Sequence, residues 1–204
     1  MNHIKFIGVE LEGAWQNLDF ERSQGWKHDG SVSIKLTEKL RYIGEVVSQP
    51  MSLNAVLSWA DRNYPDYTNR SCGGHLHFSF KSIDDYIKLL DRKFFYTMLE
   101  ELKEWGLLNN LNSKGVFWER IEGKNEYCLK EFYPDRQLKG QTGERYTMIN
   151  PCWNKHGTIE IRILPCFQKK RIYLNAVKFM YNFIENYLKD NKDQKIEIKK
   201  RVFV

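Results

Sequence analysis

Hydrophobic and polar residues alternate with a period of two along several short stretches of this chain. In residues 4–12, the apolar Ile7, Val9 and Leu11 alternate with small or acidic residues. Such alternation is typical of a β-strand with one buried face and one polar face. The same pattern predicts five further strands, over residues 32–36, 42–48, 74–80, 145–150 and 158–164.

Three other stretches place apolar residues every three or four positions, which is typical of helices with one buried face. They cover residues 52–63, a long segment from Ser82 to Trp105, and residues 170–189. The long segment begins with Ser82-Ile83-Asp84-Asp85, a sequence typical of a helix cap. Residues 107–143 have no clear period and are rich in glycine, so we interpret them as a loop or lid insertion with short elements.

This mixture of strands and helices predicts a single α+β domain over residues 1–204. The length suits one domain and is ample for a buried core. We expect a curved antiparallel sheet that packs helices against its apolar face. The polar face of the same sheet would then be open to a ligand and carry the active site.

The overall charge changes the range of ligands that this fold suits. The chain has a formal net charge of +6 and a pI near 9.0, which favours an anionic partner such as a nucleotide, a nucleic acid or an acidic polymer. A solvated basic tail over residues 189–201 explains much of this excess. No apolar run approaches the roughly 18 residues that a membrane span needs, so we expect no membrane partner.

The cysteine spacing and the N-terminal pattern bear on the compartment. The four cysteines match no disulfide framework, and no signal-peptide pattern precedes the first strand. We therefore expect free thiols and a cytoplasmic location. A zinc site of Cys72, His75 and His77 is disfavoured, because structural zinc needs four converging ligands.

The polar faces of four predicted strands carry groups that are unusual for a solvated sheet surface. If the strands pair in one sheet, these groups line one groove, where like charges repel unless cations neutralise them. Oxygen-rich ligation with one imidazole suits Mg²⁺ or Mn²⁺, and such ions typically bridge polyphosphate oxygens. For any single member, a solvated sheet face is the ordinary alternative. The groups belong to Glu10, Glu12, Glu45, His75, His77, Ser79, Glu160 and Arg162.

The order of these motifs resembles the glutamine synthetase-like carboxylate–amine ligases. Residues 73–79, Gly-Gly-His-Leu-His-Phe-Ser, are similar to the Gly-Met-His-x-His-x-Ser strand of that superfamily. Glu160-Ile161-Arg162 followed by Pro165 resembles its Glu-Phe-Arg-x-Pro segment. Within the superfamily, the chain resembles the small amidoligases of phages and bacterial operons. That resemblance extends over residues 8–12, 29–31, 45–48, 72–77, 145–146, 150 and 158–162.

The resemblance implies an ATP- and Mg²⁺-dependent (or Mn²⁺-dependent) ligase. ATP would phosphorylate a small-molecule or peptide carboxylate, and an amine would attack the acyl phosphate to form an amide. Arg162 would stabilise charge on the transferring phosphoryl group and act in catalysis with Glu12 and Glu160. His77 and Ser79 would contact the nucleotide, whereas Arg145 either holds phosphate or is a plain strand-surface arginine. The implied metal ligands are Glu10, Glu12, Glu45, His75 and Glu160.

Two other functions stay open at this stage. Acidic clusters with histidine also serve metal-dependent nucleases and phosphoesterases, and the basic charge fits nucleic acid. A non-catalytic nucleotide-binding module is the third possibility. The requirement for ATP separates these functions. A ligase consumes ATP, a nuclease cleaves nucleic acid without ATP, and a binding module turns over neither ATP nor nucleic acid. The pattern identifies neither the acid nor the amine, and the oligomeric state is open.

Overall fold

The computed structural model describes residues 2–17, 25–35, 37–130 and 146–191, and these form an α+β fold. Their five strands make one antiparallel sheet in the order β2-β1-β3-β5-β4. The strands are β1 (Ile4–Trp15), β2 (Tyr42–Val47), β3 (Gly74–Phe80), β4 (Ile149–Cys152) and β5 (Thr158–Ile161). The helices are α1 (Leu53–Asn63), α2 (Ile83–Lys88), α3 (Arg92–Leu108), α4 (Val116–Glu122), α5 (Trp153–His156) and α6 (Lys170–Asp190).

The apolar face of the sheet forms one side of the hydrophobic core. The alternating apolar residues of β1, β3 and β5 are fully buried, as the period-two pattern predicts. Helix α1 contacts both β1 and α6, and α2 contacts β3, so helices cover this face. Aromatic rings of Trp105, Phe117 and Phe167 extend the core between α3, α4 and the chain after β5. The other face of the sheet is left for polar groups.

The strand predicted over residues 32–36 is wrong for the part that the structure describes. Residues 32–35 pair with no strand, and Leu36 lies outside the described residues. The backbone of Ser33 is instead satisfied by side chains: its N–H donates to Ser71 Oγ at 2.9 Å, and its C=O accepts from Asn69 Nδ2 at 2.7 Å. Polar side chains can replace a sheet ladder in this way, and alternation alone does not reveal it.

The single helix predicted from Ser82 to Trp105 is also wrong, because the chain forms two helices there. The cap is as expected, since Ser82 Oγ accepts from the Asp85 N–H at 3.2 Å. The chain leaves α2 after Lys88, and Asp91 begins α3 by accepting from the Lys93 N–H at 2.9 Å. Side chains on both sides of the break, Leu89 and Phe94, are buried. The hydrophobic pattern therefore shows which residues are buried but not whether the helix is continuous.

Other predicted elements agree with the structure within a few residues at most boundaries. The strand predicted over 145–150 occupies Ile149–Cys152, and the one predicted over 158–164 ends at Ile161. Residues 107–130 contain the end of α3 and all of α4, whereas residues 131–143 and Arg145 lie outside the described part. A lid role for this region stays a prediction. In the described residues, no helix has the length and apolar character needed to cross a membrane.

Candidate active site

The pairing of β1, β2, β3 and β5 brings the predicted site residues onto one face of the sheet. Side chains of paired residues in neighbouring strands lie on the same face and within contact distance. The observed register therefore gathers groups that are far apart in sequence. It sets Glu10 opposite His75, His77 opposite Glu160, and Glu12 opposite Glu45.

Five of these residues form a connected set that we name the ion-paired group: Glu10, His75, His77, Glu160 and Arg162. His75 Nδ1 lies 3.2 Å from Glu10 Oε2 and 3.3 Å from Glu160 Oε1. His77 Nε2 lies 3.1 Å from Glu10 Oε1, and Arg162 Nη1 donates to Glu160 Oε1 at 2.6 Å. Each carboxylate in the group thus faces an imidazole or a guanidinium.

The pKa shifts of the ion-paired group follow from these contacts. Burial acts to raise the pKa of Glu10, but hydrogen bonds with His75 and His77 lower it well below its usual range. Burial likewise acts to raise the pKa of Glu160, and the charge of Arg162 reverses the effect and lowers it. Burial acts to lower the pKa of His77, and the hydrogen bond with Glu10 raises it instead.

These directions distinguish acidic residues that the sequence presents together. The charge of Glu10 acts to raise the pKa of Glu160, but Arg162 and the two histidines lower it further, so protein groups stabilise both charged carboxylates. The acidic residues on this face therefore do not form one uniform cluster. Tertiary pairing interleaves part of that cluster with cations.

The remaining acidic residues behave differently, and we name them the acidic group: Glu12, Asp29 and Glu45. One carboxylate oxygen from each lies within 4.8 Å of the others. Burial raises the pKa of Glu45 to about 7, and the nearby charges of Glu10 and Asp29 add to the rise, with Lys27 opposing it. Like-charge repulsion therefore applies here, where a divalent cation would relieve it.

Asp29 reaches the acidic group because its segment pairs with β2. The backbones of Lys27 and Glu45 exchange two hydrogen bonds of 2.9 Å each. Gly44 makes this close approach possible: its φ is +152°, and a Cβ there would overlap the Lys27 carbonyl oxygen. The sequence indicated Asp29 only through its resemblance to a family motif and not as a ligand. The backbone pairing of Lys27 with Glu45 brings Asp29 to the acidic group, and no local sequence pattern indicates this pairing.

His75 joins the two groups. Its Nδ1 faces the ion-paired group, and its Nε2 lies 3.6 Å from Glu12 Oε1. The other oxygen of Glu12 accepts a hydrogen bond from the Gly73 N–H. Glycine is required at 73, since a Cβ there would overlap the His75 ring. Of the tandem glycines before the His-x-His motif, Gly73 thus allows close packing at the site, and Gly74 allows close packing against Tyr173.

Donor chemistry on this face fits a hard divalent cation. Glu10, His75 and Glu160 also offer three donor atoms within 4.8 Å of one another. All five predicted metal ligands therefore lie on the predicted face, divided between the two groups. Oxygen ligands with one imidazole suit Mg²⁺ or Mn²⁺. The acidic group suits a cation better, since the ion-paired group already holds protein cations.

A groove of about 590 Å³ runs along the sheet beside Glu10 and His77. This volume lies within the usual range of small-molecule sites. The two residues predicted to contact a nucleotide, His77 and Ser79, line it, together with a cation from Lys5 and the aromatic Trp153. Glu10 and His77 belong both to the lining of the groove and to the ion-paired group, so the groove adjoins that group.

Asn150 is a site residue whose role the sequence did not indicate beyond motif resemblance. Its Nδ2 donates to Glu160 Oε2 at 2.9 Å, so both oxygens of that carboxylate are held. Arg162 lies just past the end of β5, and its guanidinium is 5.8 Å from the centre of the Tyr146 ring. Arg145, the other predicted phosphate contact, lies outside the described residues.

Fold and site together define an α+β protein with a carboxylate, histidine and arginine face beside a groove of ligand size. Comparison with protein-family models, with curated proteins and with solved structures finds no match to this chain.

Proposed function

We propose that this chain is an ATP- and Mg²⁺-dependent carboxylate–amine ligase of the glutamine synthetase-like amidoligase type. The observation that carries the proposal is the division of the polar face. An acidic group of Glu12, Asp29 and Glu45 that lacks enough countercharge adjoins an ion-paired group containing Arg162. Phosphoryl transfer needs both parts, a metal site for polyphosphate and a fixed cation for the transferring group.

The acidic group would hold a divalent cation, with His75 Nε2 as an adjacent nitrogen donor. A Mg²⁺ ion held there would neutralise part of the charge of the phosphates. Glu10 and Glu160 would supply further oxygens at the edge of the ion-paired group. Mn²⁺ has the same ligand preferences, so it would bind there too.

The groove beside Glu10 and His77 would hold the nucleotide. Its aromatic members Phe6 and Trp153 offer surfaces for a base, and Lys5 and His77 offer positive charge for phosphates. A raised pKa keeps His77 protonated to a higher pH than a free imidazole, which favours an anionic ligand. Glu10 lines this groove, so phosphates placed beside it would lie next to the ion-paired group.

In the proposed reaction, a substrate carboxylate oxygen attacks the γ-phosphorus of ATP, and ADP leaves with the bonding electron pair. An amine nitrogen then attacks the acyl carbon, phosphate leaves, and the nitrogen loses a proton. Arg162 stabilises charge in the first step. Its Nη1 donates to Glu160, and this ion pair fixes the guanidinium beside the carboxylates.

Sequence resemblance supports the same proposal independently of the charge argument. The motifs that resemble amidoligases contribute Glu12, Glu45, His75, Glu160 and Arg162, and the structure places all five on one face. An antiparallel sheet with helices on its other face agrees with the expected architecture. The glutamine synthetase-like catalytic fold is part of the proposal.

Calorimetric titration of the whole chain with ADP and ATP, with and without Mg²⁺, tests this function. We expect metal-dependent nucleotide binding that Glu45→Gln weakens. Glu104→Gln, on the exposed surface of α3, is the matched control and should bind as wild type. Nucleotide binding that does not depend on Mg²⁺, or no binding, would contradict the proposal.

Turnover then separates the ligase from its alternatives. ATP consumption is measured with a panel of carboxylates and amines, and the products are identified by mass spectrometry. A ligase forms an amide and ADP in equal amounts. Metal-dependent cleavage of nucleic acid without ATP would identify a nuclease, and nucleotide binding with no turnover across the panel would favour a binding module.

A further inference from the structure

The bulkiest fully buried side chain in the described part of the chain is a cation, Arg120 on α4. Its exposed fraction is 0%, whereas arginine is almost never fully buried unless it is paired. No carboxylate among the described residues forms an ion pair with it; its side chain approaches the Cys128 thiol, and its Nε and Nη2 have no well-aligned hydrogen-bond partner there. Burying a guanidinium this way is costly for folding, so its position calls for another reason.

A hydrogen bond from Arg120 to the backbone points to that reason. Its Nη1 donates to the backbone carbonyl oxygen of Arg162 at 2.9 Å. Arg162 follows the last residue of β5, where the sheet ladder ends. Its own N–H still donates to the Met148 carbonyl at 2.8 Å. Arg120 therefore holds the backbone carbonyl of Arg162, just past the last paired residue of β5.

The charge of Arg120 also favours the observed position of the Arg162 guanidinium. Burial raises the pKa of the Cys128 thiol, and the charges of Arg120 and Arg162 both oppose the rise, so both guanidinium groups lie near this thiol. The charge of Arg120 makes the interior unfavourable for a second cation. The Arg162 guanidinium then favours the carboxylate side, where it donates to Glu160 at 2.6 Å.

We propose that Arg120 is a positioning residue that holds Arg162 at the end of β5 and keeps its guanidinium on the polar face. The part of this proposal that concerns catalysis rests on the proposed function, in which Arg162 stabilises the transferring phosphoryl group. The part that concerns the order of the Arg162 side chain does not. The two parts call for separate measurements.

Three variants separate positioning from a purely structural role. Arg120→Met removes the donor and the charge but fills similar space, and apolar replacement of buried ionic groups is often neutral or stabilising. Arg120→Lys keeps the charge and an N–H donor, and Arg120→Gln keeps a donor without the charge. Arg70→Met is the control, since Arg70 is exposed and lies 3.8 Å from the neighbouring Glu119.

The first measurement is nuclear magnetic resonance relaxation of the arginine Nε–Hε groups in the metal-free protein. The Arg162 signal is identified by its loss in Arg162→Lys. We expect the order parameter of Arg162 to be clearly lower in Arg120→Met than in wild type, and intermediate in Arg120→Lys. An unchanged Arg162 order parameter in Arg120→Met would overturn the proposal. If that variant does not fold, Arg120→Gln decides by the same criterion.

The second measurement is the affinity for Mg·ADP alone and for Mg·ADP with aluminium fluoride, which mimics a transferring phosphoryl group. We expect Arg120→Met to weaken the mimic by about tenfold and Mg·ADP by less than about twofold, because Arg162 acts on the transferring group. Equal weakening of both ligands would contradict a role through Arg162. If wild type binds no Mg·ADP, the proposed ligase function fails, and the order parameter of Arg162 still decides the role of Arg120.

Discussion

Glu160→Gln and Glu45→Gln should change the stability of the metal-free protein in opposite directions. The two substitutions are chemically identical and lie on the same face of one sheet. Glu160 is buried and its pKa is lowered by Arg162, whereas the pKa of Glu45 is raised to about 7 by burial and by neighbouring acids. Loss of the negative charge therefore removes an attraction at Glu160 and a repulsion at Glu45.

The expected loss at Glu160 follows from its contacts. Its two oxygens accept from Arg162 Nη1 at 2.6 Å and from Asn150 Nδ2 at 2.9 Å. Glutamine keeps one acceptor but turns an N–H₂ group toward the other donor, so one of these buried donors loses its partner. Breaking a buried ion pair costs about 3–5 kcal/mol, and we expect about 3 kcal/mol because one acceptor is kept.

Thermal unfolding with a chelator at pH 8 measures both effects. For a domain of this size, about 3 kcal/mol corresponds to a fall in Tm of about 6–12 °C for Glu160→Gln. Glu45→Gln should instead raise Tm slightly, since Glu45 is largely ionised at that pH. Glu104→Gln is again the control and should leave Tm unchanged. A Glu160→Gln protein as stable as wild type would refute the division of the site into paired and unpaired carboxylates.

The same geometry leads to three more expected outcomes. The Tm difference between Glu45→Gln and wild type should be larger at pH 8 than at pH 5 in metal-free protein. Glu45 stays protonated in the folded state between the ordinary glutamate pKa of 4.5 and the raised value of about 7, so its contribution to stability is lost as pH rises through that window. A Tm difference that does not depend on pH would contradict this expectation. Mg²⁺ at ten times its dissociation constant should stabilise wild type by about 1.4 kcal/mol and Glu45→Gln much less, measured by urea unfolding; equal stabilisation of both would place the metal elsewhere. Arg162→Lys should lower kcat by about 10²- to 10³-fold with little change in nucleotide affinity, whereas parallel loss of Tm, affinity and kcat would show that its ion pair with Glu160 is mainly structural.

Local patterns in the sequence were enough to predict the strands that carry the site. Alternation in residues 4–12, 42–48, 74–80 and 158–164 depends only on which side chains must be buried, and the structure has strands within all four ranges or at their edges. The same alternation predicted which side chains share the polar face. It failed at residues 32–35, where Asn69 and Ser71 satisfy the backbone, because that partnership joins segments far apart in the chain.

Only the tertiary structure decided how the charges on that face are paired. Sequence gives the number of carboxylates but not the distances between them, and electrostatic energy depends on distance and burial. Strand register places Glu10 and Glu160 against histidines and Arg162, and leaves Glu45 with Glu12 and Asp29. The burial of Arg120 against the Arg162 carbonyl likewise depends on how α4 packs, which no local pattern records.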